Sequence, residues 1–79
     1  RGSEEAARAL VDAHKDRLMA FVWRILRDHD EAEEICQESF LRAFSSLDSF
    51  SSEYRFSTWL FTIAHHRAVD CLRKPLAPA

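Results

Sequence analysis

The sequence has very few turn-forming residues and no long apolar run. Its 79 residues include one glycine and two prolines. This composition argues against an all-β fold, because such folds need many tight turns. No apolar stretch approaches the roughly 20 residues of a transmembrane helix, and no segment resembles a signal peptide. We therefore expect a small cytoplasmic domain with no membrane contact.

Motifs for catalysis are also missing. The chain contains no glycine-rich phosphate loop and no G-x-S-x-G turn. Cys36 and Cys71 form neither a C-x-x-C pair nor a zinc-ligand spacing. Both cysteines lie among periodic apolar residues, which predicts buried, reduced thiols of low reactivity. We expect no enzymatic activity, no cofactor and no bound metal.

One metal-based alternative stays open at this point. His66 and Asp70 are four residues apart on a predicted helix and could share an ion, with His65 beside them. A fragment of a metal-dependent hydrolase would use these three side chains. Two well-placed ligands are too few for a typical site, so a hydrogen-bonded His66–Asp70 pair is the simpler interpretation.

Charge is segregated along the chain, although the net charge is only −2. Residues 28–38 hold six acidic groups and no lysine or arginine, whereas residues 55–79 hold four basic groups and one acidic group. A small domain with this pattern can meet two partners of opposite charge. Solvated helix faces with favourable dipole placement would give the same pattern, so both explanations stand.

Apolar spacing predicts an all-α fold of three helices, or four if a short extra turn forms. Apolar residues recur at helical spacing over residues 4–26, 31–46 and 57–74. Asp30 and Glu33 have the spacing of a capping box, which predicts that the second helix begins there. We expect the third helix to begin at Ser57 or Thr58, because either side chain can cap it.

The segment between the second and third helices combines polar and aromatic residues. Residues 48–56 follow neither a helical nor a strand period, and their serines favour turns. Phe50, Tyr54 and Phe56 nevertheless fall within seven residues. Loops held by a rigid scaffold often carry binding residues, so this segment is a candidate binding loop.

Two longer segments match known motifs in the correct order. Residues 30–47 read DEAEEICQESFLRAFSSL, which is similar to D-x-E-D-x-x-Q-E-x-F-L-R-A-W. Residues 56–73 read FSTWLFTIAHHRAVDCLR, which is similar to F-x-T-W-L-x-x-I-A-x-N-x-x-x-D-x-L-R. Both patterns belong to bacterial sigma factors, and the small size resembles the second conserved region of the extracytoplasmic-function group.

The resemblance implies a domain organisation. Residues 4–74 would form the compact helical domain of sigma region two. From the residues themselves, we expect residues 1–3 to be a vector-derived remnant and residues 75–79 to begin an interdomain linker. His66 stands where the family usually has asparagine, and Phe44 stands where tryptophan is frequent.

The resemblance also implies that the second helix binds core RNA polymerase. Its exposed face would dock on the clamp coiled coil of the largest polymerase subunit. An anti-sigma factor is a further implied partner. The implied docking residues are Glu34, Gln37, Glu38, Leu41 and Arg42.

The second implied partner is the minus-ten element of promoter DNA. The loop would capture a base flipped from the non-template strand, which helps to melt the promoter in transcription initiation. Trp59 is expected mainly in the core, with its outer end able to line the pocket. The implied loop contacts are Ser51, Ser52, Glu53, Tyr54, Arg55 and Phe56. The implied contacts to the DNA backbone are His65, His66, Arg67, Arg73 and Lys74. The alternative is a helical protein-interaction module that does not bind DNA.

Overall fold

The computed structural model describes residues 2–46 and 52–73. These residues form three helices and no strand: α1 (Gly2–Leu26), α2 (His29–Ser46) and α3 (Glu53–Arg73). The prediction of an all-α, three-helix fold is confirmed. Within these two ranges, no helix combines the length and apolarity needed to cross a bilayer.

Backbone geometry between α1 and α2 explains where one helix ends and the next begins. Arg27 adopts a left-handed conformation with φ of 57°, and its N–H donates to the Trp23 carbonyl at 2.6 Å. A left-handed residue just beyond the last turn is a common helix ending. The Glu31 N–H then donates to Asp28 Oδ1 at 3.1 Å, so Asp28 caps α2. The predicted capping box on Asp30 is therefore wrong, because α2 begins at His29, two residues before the predicted start at Glu31.

The third helix begins four residues before the predicted start. The Arg55 N–H donates to Ser52 Oγ at 3.2 Å, and the Phe56 N–H donates to the Ser52 carbonyl at 3.0 Å. Ser52 is therefore the N-cap of α3, and Glu53 is its first residue. The prediction of a loop through residue 56 is wrong, since residues 53–56 form the first helical turn.

The core lies along the line where the three helices meet, and each helix contacts both of the others. The short connection at residues 27–28 makes α1 and α2 antiparallel neighbours. Several core positions are alanine, which lets the helices approach closely. Fully buried apolar residues are Leu18, Val22, Ala32, Ala43, Leu60, Ala64 and Ala68.

A cluster of aromatic rings anchors the first turn of α3. Phe56 is 3% exposed, and its ring stacks on Phe44 with centroids 5.0 Å apart and on Phe40 at 6.3 Å. The His14 ring of α1 meets Phe56 edge-on at 5.6 Å. Phe56 thus joins all three helices. The prediction that Phe56 contacts DNA is wrong, because its side chain is part of the core.

The two cysteines differ in burial. Cys36 is buried, with Sγ 4.0 Å from Met19 Sδ, as predicted. Burial, followed by the nearby charge of Glu33, raises the pKa of the Cys36 thiol from 9.0 to about 11. Cys71 is only half-buried, and its Sγ lies 3.4 Å from Glu31 Oε1. The prediction of a buried thiol therefore holds for Cys36 alone.

Replacing Phe56 by alanine should unfold much of the protein. Removing a buried phenylalanine typically costs about 3–5 kcal/mol, which is most of the stability of a small domain. Tyr54→Ala is the matched control, because Tyr54 lies in the same turn but is 78% exposed. We expect Tyr54→Ala to change the free energy of unfolding by less than about 0.5 kcal/mol. Urea denaturation followed by circular dichroism measures both variants. Equal losses of stability would contradict the assigned core.

The Cys36 thiol should resist alkylation in the folded protein. Thiolate is the reactive form, and a pKa raised from 9.0 to about 11 leaves about 100-fold less thiolate at pH 8. Mass spectrometry of peptides after timed exposure to iodoacetamide measures the rate at Cys36. We expect the rate to rise by at least about 100-fold in guanidinium chloride. Similar rates in the folded and unfolded protein would show that Cys36 is accessible.

Candidate functional site

The predicted polymerase-binding residues lie on one outer face of α2. Their spacing of three and four residues places them in a single stripe. Leu41 is 70% exposed, although it is a large apolar side chain. Glu38 is the half-buried member of the set, and the other four are exposed. We call this surface the α2 face; it comprises Glu34, Gln37, Glu38, Leu41 and Arg42.

Glu38 is the electrostatic centre of the α2 face. Arg67 of α3 reaches it with Nη2, which lies 2.6 Å from Oε2 and 2.7 Å from Oε1. Arg42, one turn further along α2, places Nε 3.4 Å from the same Oε2. Arg67 was predicted to contact the DNA backbone, but here its guanidinium is bound to the α2 face.

Carboxylates also line the groove between α2 and α3. Glu31 and Glu34 of α2 face Asp70 of α3 across a cavity of about 380 Å³, whose wall includes Glu38 and Arg67. Several like charges around one cavity create a negative potential, which favours a basic partner. The groove therefore extends the acidic character of α2 onto α3.

The start of α3 forms the second candidate surface. We call Ser52, Glu53, Tyr54 and Arg55 the recognition turn; all four residues are exposed. Beside this turn lies a shallow, mostly apolar groove of about 260 Å³ that is lined by Tyr54, Arg55, Thr58 and Trp59. Ser51, also predicted here, lies outside the described residues.

Trp59 contributes more to this surface than the sequence indicated. It is 40% exposed, so it is not part of the fully buried core, and it lines the groove as expected of its outer end. Its exposed part also lines a second groove, which it shares with Leu41, Arg42 and His66. This second groove makes the α2 face and the recognition turn neighbouring parts of one surface.

The remaining predicted DNA contacts lie further along α3. His65 and His66 are exposed, with ring centroids 6.1 Å apart, and Arg73 is exposed in the last turn. The His65 ring also lies 6.2 Å from Phe21 of α1. Lys74 is outside the described residues. Arg73 places a positive charge at the C-terminal end of α3, where the helix dipole favours it.

His14 is a polar residue of the site that the sequence motifs did not identify as a site residue. It belongs to the apolar stripe of α1 and is 3% exposed. Its Nδ1–H donates to the Leu10 carbonyl at 2.8 Å, and its Nε2 lies 3.9 Å from Glu53 Oε2. His14 therefore touches the recognition turn from beneath. A histidine within an apolar stripe was the one signal for it.

The geometry does not support the metal alternative. Across residues 2–46 and 52–73, the three potential ligand atoms that lie within 4.8 Å of one another belong to His29, Asp30 and Glu33. The group of His65, His66 and Asp70 is not brought together in this way. The first group is exposed and lies at the start of α2, where the helix dipole disfavours a cation.

Comparison with known proteins identifies the family. The family model for sigma-70 region 2 matches residues 10–75. SigW of Bacillus subtilis, an ECF RNA polymerase sigma factor, is 40% identical over 74 residues, which cover 94% of this chain and 40% of SigW. SigX of the same organism is 32% identical over 71 residues (90% of this chain, 37% of SigX). SigK of Mycobacterium tuberculosis is 39% identical over 74 residues (91% of this chain, 40% of SigK). The search of solved structures gives no match.

These matches define a class of helical transcription domain, and the three-helix fold agrees with it. The chain belongs to the sigma-70 region 2 family, and the relatives named above are ECF sigma factors. It spans about 40% of the length of SigW. The family resemblance drawn from the two sequence motifs is confirmed.

Proposed function

We propose that this domain binds core RNA polymerase and promoter DNA during transcription initiation. It recognises the minus-ten element and helps to melt it by capturing a base flipped from the non-template strand. The carrying observation is the highly exposed Tyr54 beside the apolar groove at Trp59, next to the α2 face. Neither step requires covalent chemistry, which agrees with a non-enzymatic role.

The α2 face supports docking on the clamp coiled coil of the largest polymerase subunit. Carboxylates on the face and in the adjoining groove offer charge-assisted contacts to a basic helix surface. Leu41 adds an exposed apolar side chain to this charged stripe, and its burial on docking would contribute to affinity. An anti-sigma factor that covered this face would block docking.

Glu38→Lys should weaken binding to a clamp coiled-coil fragment by about tenfold or more, because it places like charges opposite each other. Fluorescence anisotropy of the labelled fragment measures the dissociation constant. Glu5→Lys is the matched control: it makes the same charge change at an exposed position near the start of α1. Unchanged affinity for Glu38→Lys, with the fold intact by circular dichroism, would reject the α2 face as the docking surface.

The recognition turn supports capture of a single base. Extruding a base from the duplex costs a few kcal/mol. Stacking on an aromatic side chain returns about 1–3 kcal/mol per base, and both Tyr54 and Trp59 present exposed aromatic surface at the groove. Arg55 lines the same groove and can pair with a neighbouring phosphate. Ser52 and Glu53 offer side-chain oxygens for the edge of the base.

Tyr54→Ala should weaken binding of a non-template minus-ten strand to the polymerase complex by about 5- to 100-fold, because a stacking contact is lost. Tyr54→Phe keeps the ring and should retain most of the affinity. Filter binding with labelled oligonucleotide, compared over a range of salt concentrations, measures both variants. Affinity that falls steeply with salt favours DNA binding over the alternative of a pure protein-interaction module. Equal binding by wild type and Tyr54→Ala would exclude stacking on this ring.

A further inference from the structure

The carboxylate of Glu38 is already occupied by a cation from within the domain. One nitrogen of Arg67 lies within 2.7 Å of both Glu38 oxygens, and Arg42 approaches one of them. The three side chains together carry a net charge of +1. A basic side chain that approaches Glu38 from a partner therefore meets a cluster that is no longer negative.

Arg67 is the member of this cluster that comes from another helix. It lies 29 residues from Glu38 in sequence, and it reaches across the boundary between α2 and α3. Both side chains keep more than a third of their surface exposed, so a partner can reach the pair. Because water screens such a pair, exchanging one cation for another at Glu38 costs little free energy.

We propose that Arg67 sets the affinity of the domain for polymerase by competing for Glu38. In the free domain Arg67 takes the place that a basic side chain of the partner fills after docking. Docking thus exchanges an internal ion pair for an intermolecular one. The inference rests on the proposed docking role of the α2 face, and it gives Arg67 a role distinct from a contact to DNA.

A different role for Arg67 predicts the opposite result. If Arg67 instead held the Glu38 carboxylate in the orientation that the partner needs, its removal would cost side-chain entropy on binding. Affinity would then fall when Arg67 is neutralised. The sign of the change in affinity therefore separates competition from positioning.

The test measures binding of the 79-residue domain to core RNA polymerase from Bacillus subtilis by fluorescence anisotropy. Exposed ion pairs contribute about 0.2–1 kcal/mol, so Arg67→Gln should tighten binding by about 1.4- to fivefold. Arg67→Met, also neutral, should have the same effect and guards against a misfolded first variant. Arg73→Gln is the matched control, because it removes the same charge from the exposed last turn of α3. It should leave the affinity nearly unchanged.

A second step separates competition for Glu38 from a general change in charge. In a Glu38→Gln background, Arg67→Gln should have no effect, because no carboxylate remains to compete for. The docking role of Glu38 is read in the Arg67→Gln background, where no internal pair offsets the lost contact: Glu38→Gln should weaken binding there, and unchanged affinity would reject docking through Glu38. If Glu38→Gln weakens binding in that background, docking stands. Competition by Arg67 is then overturned if Arg67→Gln and Arg67→Met, made in the wild-type protein, weaken binding or leave it unchanged. An equal gain from Arg67→Gln in both backgrounds would also overturn it.

Discussion

Burial of Phe56 is the interaction on which the rest of this domain depends. Its ring packs against α1 and α2 and fixes the first turn of α3 to both. A helix rotates each successive side chain by about 100°, so a buried Phe56 directs Tyr54 and Arg55 away from the core. The exposure of Tyr54 beside its groove is thus a geometric consequence of the burial of Phe56, two residues away.

The small size of the chain determines how each helix divides its surface between core and solvent. A 79-residue chain has a thin core, and α2 and α3 each divide their surface between packing and an exposed face. Ala43 and Ala64 are completely buried, whereas Leu41 and Trp59 on the same helices are partly exposed to solvent. The Glu38–Arg67 pair joins the two helices across these exposed faces. Contact with polymerase and contact with DNA would therefore act on neighbouring side chains rather than on separate ends of the molecule.

Helical periodicity in the sequence was enough to predict the class of fold, because the apolar stripes of α1 and α2 are long and regular. The start of α3 was mispredicted, since serines favour turns and helix caps alike. The two hydrogen bonds to Ser52 and the burial of Phe56 distinguish the cap at Ser52 from a continuing loop. The five residues of the α2 face share one side of the helix because their spacing alone places them in one stripe, and their docking role stays a prediction. The pairing of Arg67 with Glu38 was not predictable, because it depends on how α2 and α3 pack, which periodicity does not specify.

Base capture by the recognition turn is tested most directly by photocrosslinking at position 54 within a polymerase–promoter complex. Tyr54 is replaced by benzoylphenylalanine in one sample, and Trp23, which lies near the far end of α1, is replaced in a second. We expect crosslinks from position 54 to the non-template strand of the minus-ten element, and none to that element from position 23. Crosslinks from position 54 to polymerase alone, or from both positions equally, would exclude base capture at the recognition turn.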